Sequence, residues 1–155
     1  MHINPKHTIE ITVPGCEAWP EAERPVLTYT VLTGFDHCDL IERHDRSIGR
    51  APEAGDLSMR EQIAAGFEAA AVGLIDGRNL VEVTTGEPIT IDRESPLRVK
   101  AEALMRCLTV MQSAALIIRR FETGRLDAEG KFGLSSASSS PPASSSGAEE
   151  VALLA

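Results

Sequence analysis

The residues best suited to chemistry stand together in one short segment, His37-Cys38-Asp39, with His44 seven positions after His37. A nucleophilic thiol needs an imidazole beside it in a formed pocket, and Cys38 with His37 or His44 is the local candidate. Neighbouring residues on a helix point about 100° apart, so His37 and Cys38 do not readily face one ligand. We interpret Cys38 as a half-buried helix cysteine and keep a small thiol or metal enzyme centred on these residues as the alternative.

Other patterns of catalytic or metal-binding residues are missing from the sequence. Zinc sites use about four ligands in closely spaced pairs such as C-x₂₋₄-C, and no such pair occurs. The three cysteines are widely spaced and odd in number, which is not a disulfide framework; we expect Cys107 in the core and Cys16 exposed. Phosphate-binding glycine loops and nucleophile elbows are also absent. The sequence therefore predicts a protein that is not an enzyme and has no metal, cofactor or small-molecule substrate.

Composition narrows the class of partner. The 155 residues carry a net charge of −8, and only 4% are aromatic, so the predicted core consists of Leu, Ile, Val and Ala. Nucleic-acid affinity rests mainly on Lys and Arg, and anionic membranes repel acidic surfaces, so we expect neither as a partner. Arg119-Arg120 is the best candidate for a basic patch. Since we find no signal peptide and no membrane-spanning stretch, we expect a cytoplasmic protein with reduced thiols.

Two pairs of short segments have strand patterns. Residues 8–13 and 26–33 alternate apolar with polar side chains and are rich in β-branched residues, which predicts an antiparallel pair. Residues 80–83 and 89–91 are apolar runs on either side of a Thr85-Gly86 turn, which predicts a β-hairpin.

Three helices are predicted from their start signals. Thr33 and Asp36 cap a short first helix, and its available anchors are Phe35, Leu40 and Ile41. Ser58 and Glu61 form a capping box for a second helix that runs to residue 72, with Gly73 as its left-handed C-terminal cap. The expected buried stripe of this helix is Ile63, Phe67, Ala70 and Ala71. Ser95-Pro96 starts a long third helix to about residue 122, with Gly124 as its cap.

The third helix carries an apolar seam. Its residues recur at steps of three and four, the spacing of helix–helix packing: Leu97, Ala101, Leu104, Leu108, Met111, Ala115 and Ile118. Part of this seam forms the predicted partner-binding surface, namely Leu104, Leu108, Met111, Ala115 and Ile118. The alternative is that the whole seam belongs to the core of the same chain.

Domain organisation follows from a change in composition after residue 133. Residues 135–146 contain only Ser, Ala and Pro, a composition that cannot bury enough apolar surface to fold. We predict one domain over residues 1–133, a flexible linker over 134–147 and an acidic–apolar peptide over 148–155, which could bind a partner or act as a recognition tag. The predicted fold class is α+β: small antiparallel β elements packed with about three helices, followed by a disordered Ser-rich tail.

Several short sequence motifs occur in an order that is known from one protein family. It comprises Val72-Gly73-Leu74 after a helix, Asn79-Leu80, Gly86-Glu87-Pro88-Ile89 and then an apolar helix from Leu97. The N-terminal β-pair leading into Thr33-Gly34-Phe35 fits the same order of elements. This arrangement resembles the tail assembly chaperones of long-tailed bacteriophages.

The resemblance implies a non-enzymatic role in the cytoplasm of a bacterial host cell. Such proteins coat the aggregation-prone, helical tape-measure protein during tail assembly and recruit tail-tube subunits. The implied partners are phage tail components. The alternative is a structural virion protein, such as a head–tail connector or tail component, that self-associates.

Overall fold

A computed structural model of the chain describes residues 7–132, with side chains described for residues 7–123. This part contains three strands, β1 (Thr8–Thr12), β2 (Val26–Thr30) and β3 (Leu74–Arg78). It also contains four α-helices, α1 (Gly34–Ser47), α2 (Met59–Ala71), α3 (Leu97–Cys107) and α4 (Val110–Phe132), and a 3₁₀ turn at Ala54–Asp56. The predicted α+β class is confirmed, with one helix more than expected in the described part. The predicted linker and C-terminal peptide lie outside the described residues.

The three strands form one antiparallel sheet in the order β1-β2-β3. β1 pairs with β2 from Thr8 opposite Thr30 to Thr12 opposite Val26, which confirms the predicted N-terminal pair. β3 was not predicted, because its sequence Leu-Ile-Asp-Gly-Arg has little β propensity and no regular alternation. It is a strand because it pairs with β2.

The predicted hairpin over residues 80–91 is wrong in its extent. A single bridge joins Val81 to Pro88, around a turn in which Gly86 has φ +73°. The two apolar runs are only four and three residues long, and they add no strand to the sheet. Leu80 and Ile89 are buried instead as individual side chains, while Val81 and Val83 are exposed.

Side-chain caps start α1 and α2 as predicted. The Thr33 hydroxyl accepts from the Asp36 amide at 3.2 Å, and the Asp36 carboxylate accepts from the Thr33 amide at 3.1 Å. In the second capping box the Glu61 carboxylate accepts from the Ser58 amide at 2.7 Å, and this bond lowers the pKa of Glu61. The anchor prediction for α1 holds for Leu40, which is buried, but it is wrong for Phe35 and Ile41, which are 89% and 39% exposed. Phe35 is in the first turn of α1, where none of the described elements covers it.

The prediction of one long third helix is wrong, because the helix is interrupted between α3 and α4. Leu108 is extended (φ −123°, ψ 150°), and Thr109 then starts α4 with a reciprocal cap of its own. The Thr109 hydroxyl accepts from the Gln112 amide at 3.1 Å, and the Gln112 side chain accepts from the Thr109 amide at 2.9 Å. Thr-x-x-Gln is a capping-box pattern that can be read in the sequence. At the other ends, Pro96 rather than Ser95 is the cap of α3, and Gly124 lies inside α4.

Tyr29 connects several elements of the core. It lies in the central strand of the sheet and is completely buried. Its hydroxyl donates to the Ala70 carbonyl in the last turn of α2 at 2.7 Å. The Arg120 guanidinium of α4 lies over its ring, 4.2 Å from the centroid, and donates to the Thr30 carbonyl at 3.3 Å. Burial raises the pKa of the Tyr29 phenol, so it remains a protonated donor. One side chain thus connects β2, α2 and α4.

Substitution of two glycines by alanine should change stability in opposite directions. A Cβ at Gly66, within α2, would meet Ser47 at an ordinary 3.6 Å, so Gly66→Ala should raise the free energy of unfolding by about 0.5–1 kcal/mol. Gly73 has φ +77°, and a Cβ there would lie 3.1 Å from the Thr30 hydroxyl. Gly73→Ala should therefore lower it by about 1–3 kcal/mol. Urea denaturation followed by circular dichroism measures both changes in the free energy of unfolding. If the two substitutions changed it in the same direction, the roles given to Gly66 and Gly73 would be contradicted.

Removing the Tyr29 hydroxyl should destabilise the fold without removing the ring. Tyr29→Phe keeps the surface under Arg120 but leaves the buried Ala70 carbonyl, near the end of α2, without its donor. We expect a loss of about 1–3 kcal/mol in the free energy of unfolding, measured by urea denaturation. A loss of less than about 0.5 kcal/mol would mean that this hydrogen bond contributes little.

Candidate functional site

The five predicted partner-binding residues do not form one surface. Leu104 and Leu108 are 0% and 4% exposed and belong to the core. Ala115 is half-buried, whereas Met111 and Ile118 are 78% and 55% exposed. The break at Leu108 separates the seam into an inward part on α3 and an outward part on α4. The partner-binding role stays a prediction, and Met111 and Ile118 are the members that a partner could reach.

The first part of α4 exposes an apolar surface that we call the α4 face, consisting of Val110, Met111, Ala114 and Ile118. No residue from 110 to 118 is charged. The core-facing side chains of the same turns, Ser113, Leu116 and Ile117, are buried. α4 is therefore apolar on both its core side and its solvent side, which is the pattern of a helix with a second packing surface.

An apolar groove of about 260 Å³ lies beside the α4 face, where α1, α2 and α4 meet. Its lining residues are His44, Ser47, Ile48, Met59, Gln62, Ile63, Gly66, Val110, Ser113, Ala114 and Ile117. The buried floor includes Gly66, Ser113 and Ile117, and the exposed rim includes Ile48, Met59 and Val110. Small residues in the floor leave room for a side chain from outside. Of the described residues that line the groove, His44 alone is titratable.

A scan against protein-family models, a search of curated proteins and a search of solved structures each find no match to this chain. The groove and the α4 face are therefore the physical basis for inferring a function. Sequence reasoning identified α4 as the relevant element through its seam. It missed Ile48 and Met59, because the rim of a groove between three helices has no local sequence signal.

The histidine and cysteine candidates are not gathered in one pocket. Cys38 is exposed rather than half-buried as expected, and the cavity that it lines, of about 400 Å³, includes neither His37 nor His44 among its described lining residues. His44 instead lines the groove on the other side of α1. Cys16 is buried, contrary to the expectation, because the turn after β1 folds back: the Cys16 amide donates to the Val13 carbonyl at 3.0 Å.

Within the described residues, no three His, Cys, Asp or Glu side chains are placed so that they could share a metal ion. None of the helices in that part of the chain combines the length and the apolar character needed to cross a bilayer.

The three thiols should react at very different rates. Cys38 is exposed, whereas burial raises the pKa of Cys16 and raises that of Cys107 to about 11. Because the thiolate is the reactive form, Ellman's reagent should modify Cys38 quickly and the other two slowly in the folded protein. Below pH 11 the rate at Cys107 should rise about tenfold per pH unit. Stopped-flow absorbance measures these phases, and a fast phase that persists in Cys38→Ser would contradict the assignment.

Proposed function

We propose that this protein is a non-enzymatic adaptor that binds an aggregation-prone helical partner, in the manner of phage tail assembly chaperones, in the cytoplasm of a bacterial host cell. The observation that carries the proposal is the α4 face, which is exposed, uncharged and next to an apolar groove. Contiguous exposed apolar surface is unfavourable in water and marks sites of interaction. A helix laid against such a surface is a common mode of protein recognition.

Two methionines suit this surface to a chaperone. Met59 on α2 and Met111 on α4 are both strongly exposed. Methionine is unbranched and polarisable, so it adapts to partners of different shape. A protein that covers a long chain must accept many local sequences, and an adaptable contact surface serves that purpose.

The order of elements also supports the phage tail chaperone form of the proposal. α2 ends before Gly73, which has φ +77°; a turn at Gly86 follows, and apolar helices close the described chain. This is the order on which the resemblance rests. In this protein the closing element consists of two helices, α3 and α4, in place of one.

The proposal is tested by mixing the full chain with the protein encoded by the long open reading frame nearest downstream. Size-exclusion chromatography with light scattering should show a soluble complex of fixed stoichiometry. Met111→Asp and Ile118→Asp should each weaken it by about tenfold or more, because a charge would enter an apolar contact. Leu108→Asp is unsuitable, since Leu108 is in the core and the substitution would unfold the domain.

The matched control is Val99→Asp on α3. Val99 is 48% exposed and Ile118 on the α4 face is 55% exposed, so the control adds the same charge at a comparable exposed helix position. It should leave the complex intact. No complex, together with a large homo-oligomer of defined size, would reject the chaperone proposal in favour of a self-associating structural virion protein.

A further inference from the structure

We infer that the groove between α1, α2 and α4 binds the apolar side chains of a basic amphipathic helix, a helix with Lys or Arg beside its apolar stripe. The inference rests on the proposed function and specifies the chemistry of the partner. It is carried by two independent features, the shape of the groove and the excess of acidic over basic side chains.

The shape fits side chains presented at helical spacing. α4 contributes Val110, Ala114 and Ile117 to the lining, and these positions cover about two helical turns or roughly 10 Å. A partner helix would present side chains over the same length from positions i, i+4 and i+7. A volume of about 260 Å³ over a floor that includes Gly66 and Ser113 has room for apolar side chains from such a stripe.

The uncharged lining requires an apolar stripe on the partner. His44 is its single titratable group among the described residues, and the neutral polar lining consists of Ser47, Gln62 and Ser113. A partner carboxylate or ammonium group inserted there would lose its hydration without gaining a charged group of opposite sign. Charged groups of the partner must therefore lie outside the groove.

The charge outside the groove selects a basic partner. The chain has 23 acidic residues against 15 Lys and Arg. Five described arginines are already held in ion pairs with acids: Arg43, Arg78, Arg98, Arg106 and Arg119. Arg120 is buried against Tyr29. Thirteen described acids lie outside these ion pairs, against six other described cations, Arg24, Arg46, Arg50, Arg60, Arg93 and Lys100. The remaining charge is therefore mainly acidic, so it attracts a helix with basic flanks and repels one with acidic flanks.

The probes are two synthetic peptides of about 18 residues with an identical leucine stripe and either Lys or Glu at the other positions. Binding of each labelled peptide to the full chain is measured by fluorescence anisotropy at low and high salt. We expect the Lys peptide to bind about tenfold tighter or better, and to weaken as salt screens the attraction. Equal affinity of the two peptides would overturn the assignment of a basic partner.

Neutral substitutions then locate the binding site. Val110→Gln makes the rim polar, and Ala114→Leu fills the groove; each should weaken binding of the Lys peptide by about tenfold. Val99→Gln is the matched control at similar exposure and should change affinity by less than about twofold. Unchanged thermal melting shows that the variants remain folded. If the groove variants bind as the control does, the groove is not the binding site.

Other occupants give different results, each of which overturns the inference. A dimer that Val110→Gln dissociates, seen by light scattering, would mean that a second copy fills the groove. Stoichiometric displacement of the Lys peptide by a peptide of residues 148–155 would mean that a segment of the same chain does. The complex with the downstream-encoded protein could persist in Val110→Gln and be lost in Met111→Asp. That result would support the proposed function but show that the groove is not the binding site. If the Lys peptide bound as expected but the downstream-encoded protein formed no complex, the proposed function would be rejected and the groove assignment would stand.

Discussion

The contact between Arg120 and Tyr29 is the constraint on which the arrangement of this domain depends. A guanidinium that is 1% exposed is costly to bury, and it is stabilised here by the Tyr29 ring at 4.2 Å and by the Thr30 carbonyl. The same tyrosine holds the end of α2 through the Ala70 carbonyl. The position of residues 110–120 of α4 relative to the sheet is therefore determined by a polar contact as well as by apolar packing.

That contact also determines which side of α4 faces water. With Arg120 directed inward, the residues one turn or so before it, Leu116 and Ile117, are buried as well. Met111 and Ile118 lie about 160–180° around the helix from Arg120, so they point away from the core. The exposed apolar face is thus a geometric consequence of how the opposite side is held.

The break at Leu108 and Thr109 has a second consequence for the surface. An unbroken helix would have carried the seam along one line, with all of its members facing the same neighbour. Because Leu108 is extended and Thr109 restarts the helix, Leu104 and Leu108 can enter the core while α4 takes a new direction. The start of α4 then lines a groove with α1 and α2, and its Val110 and Ala114 share that lining with Ile48 and Met59.

The sequence by itself determined the features that depend on residues close together in the chain. The alternation in residues 8–13 and 26–33, the capping boxes at Thr33 and Ser58 and the left-handed Gly73 are local features. The elements that they indicate were predicted correctly, although β2 ends at Thr30. The capping box at Thr109 was equally local but was overridden by the longer apolar periodicity around it. Tertiary structure alone decided that Leu-Ile-Asp-Gly-Arg is a strand, that Phe35 is exposed and Cys16 buried, and that the seam divides between the core and the surface. The physical reason is that capping and alternation need only neighbours along the chain, whereas burial depends on which distant elements cover a side chain.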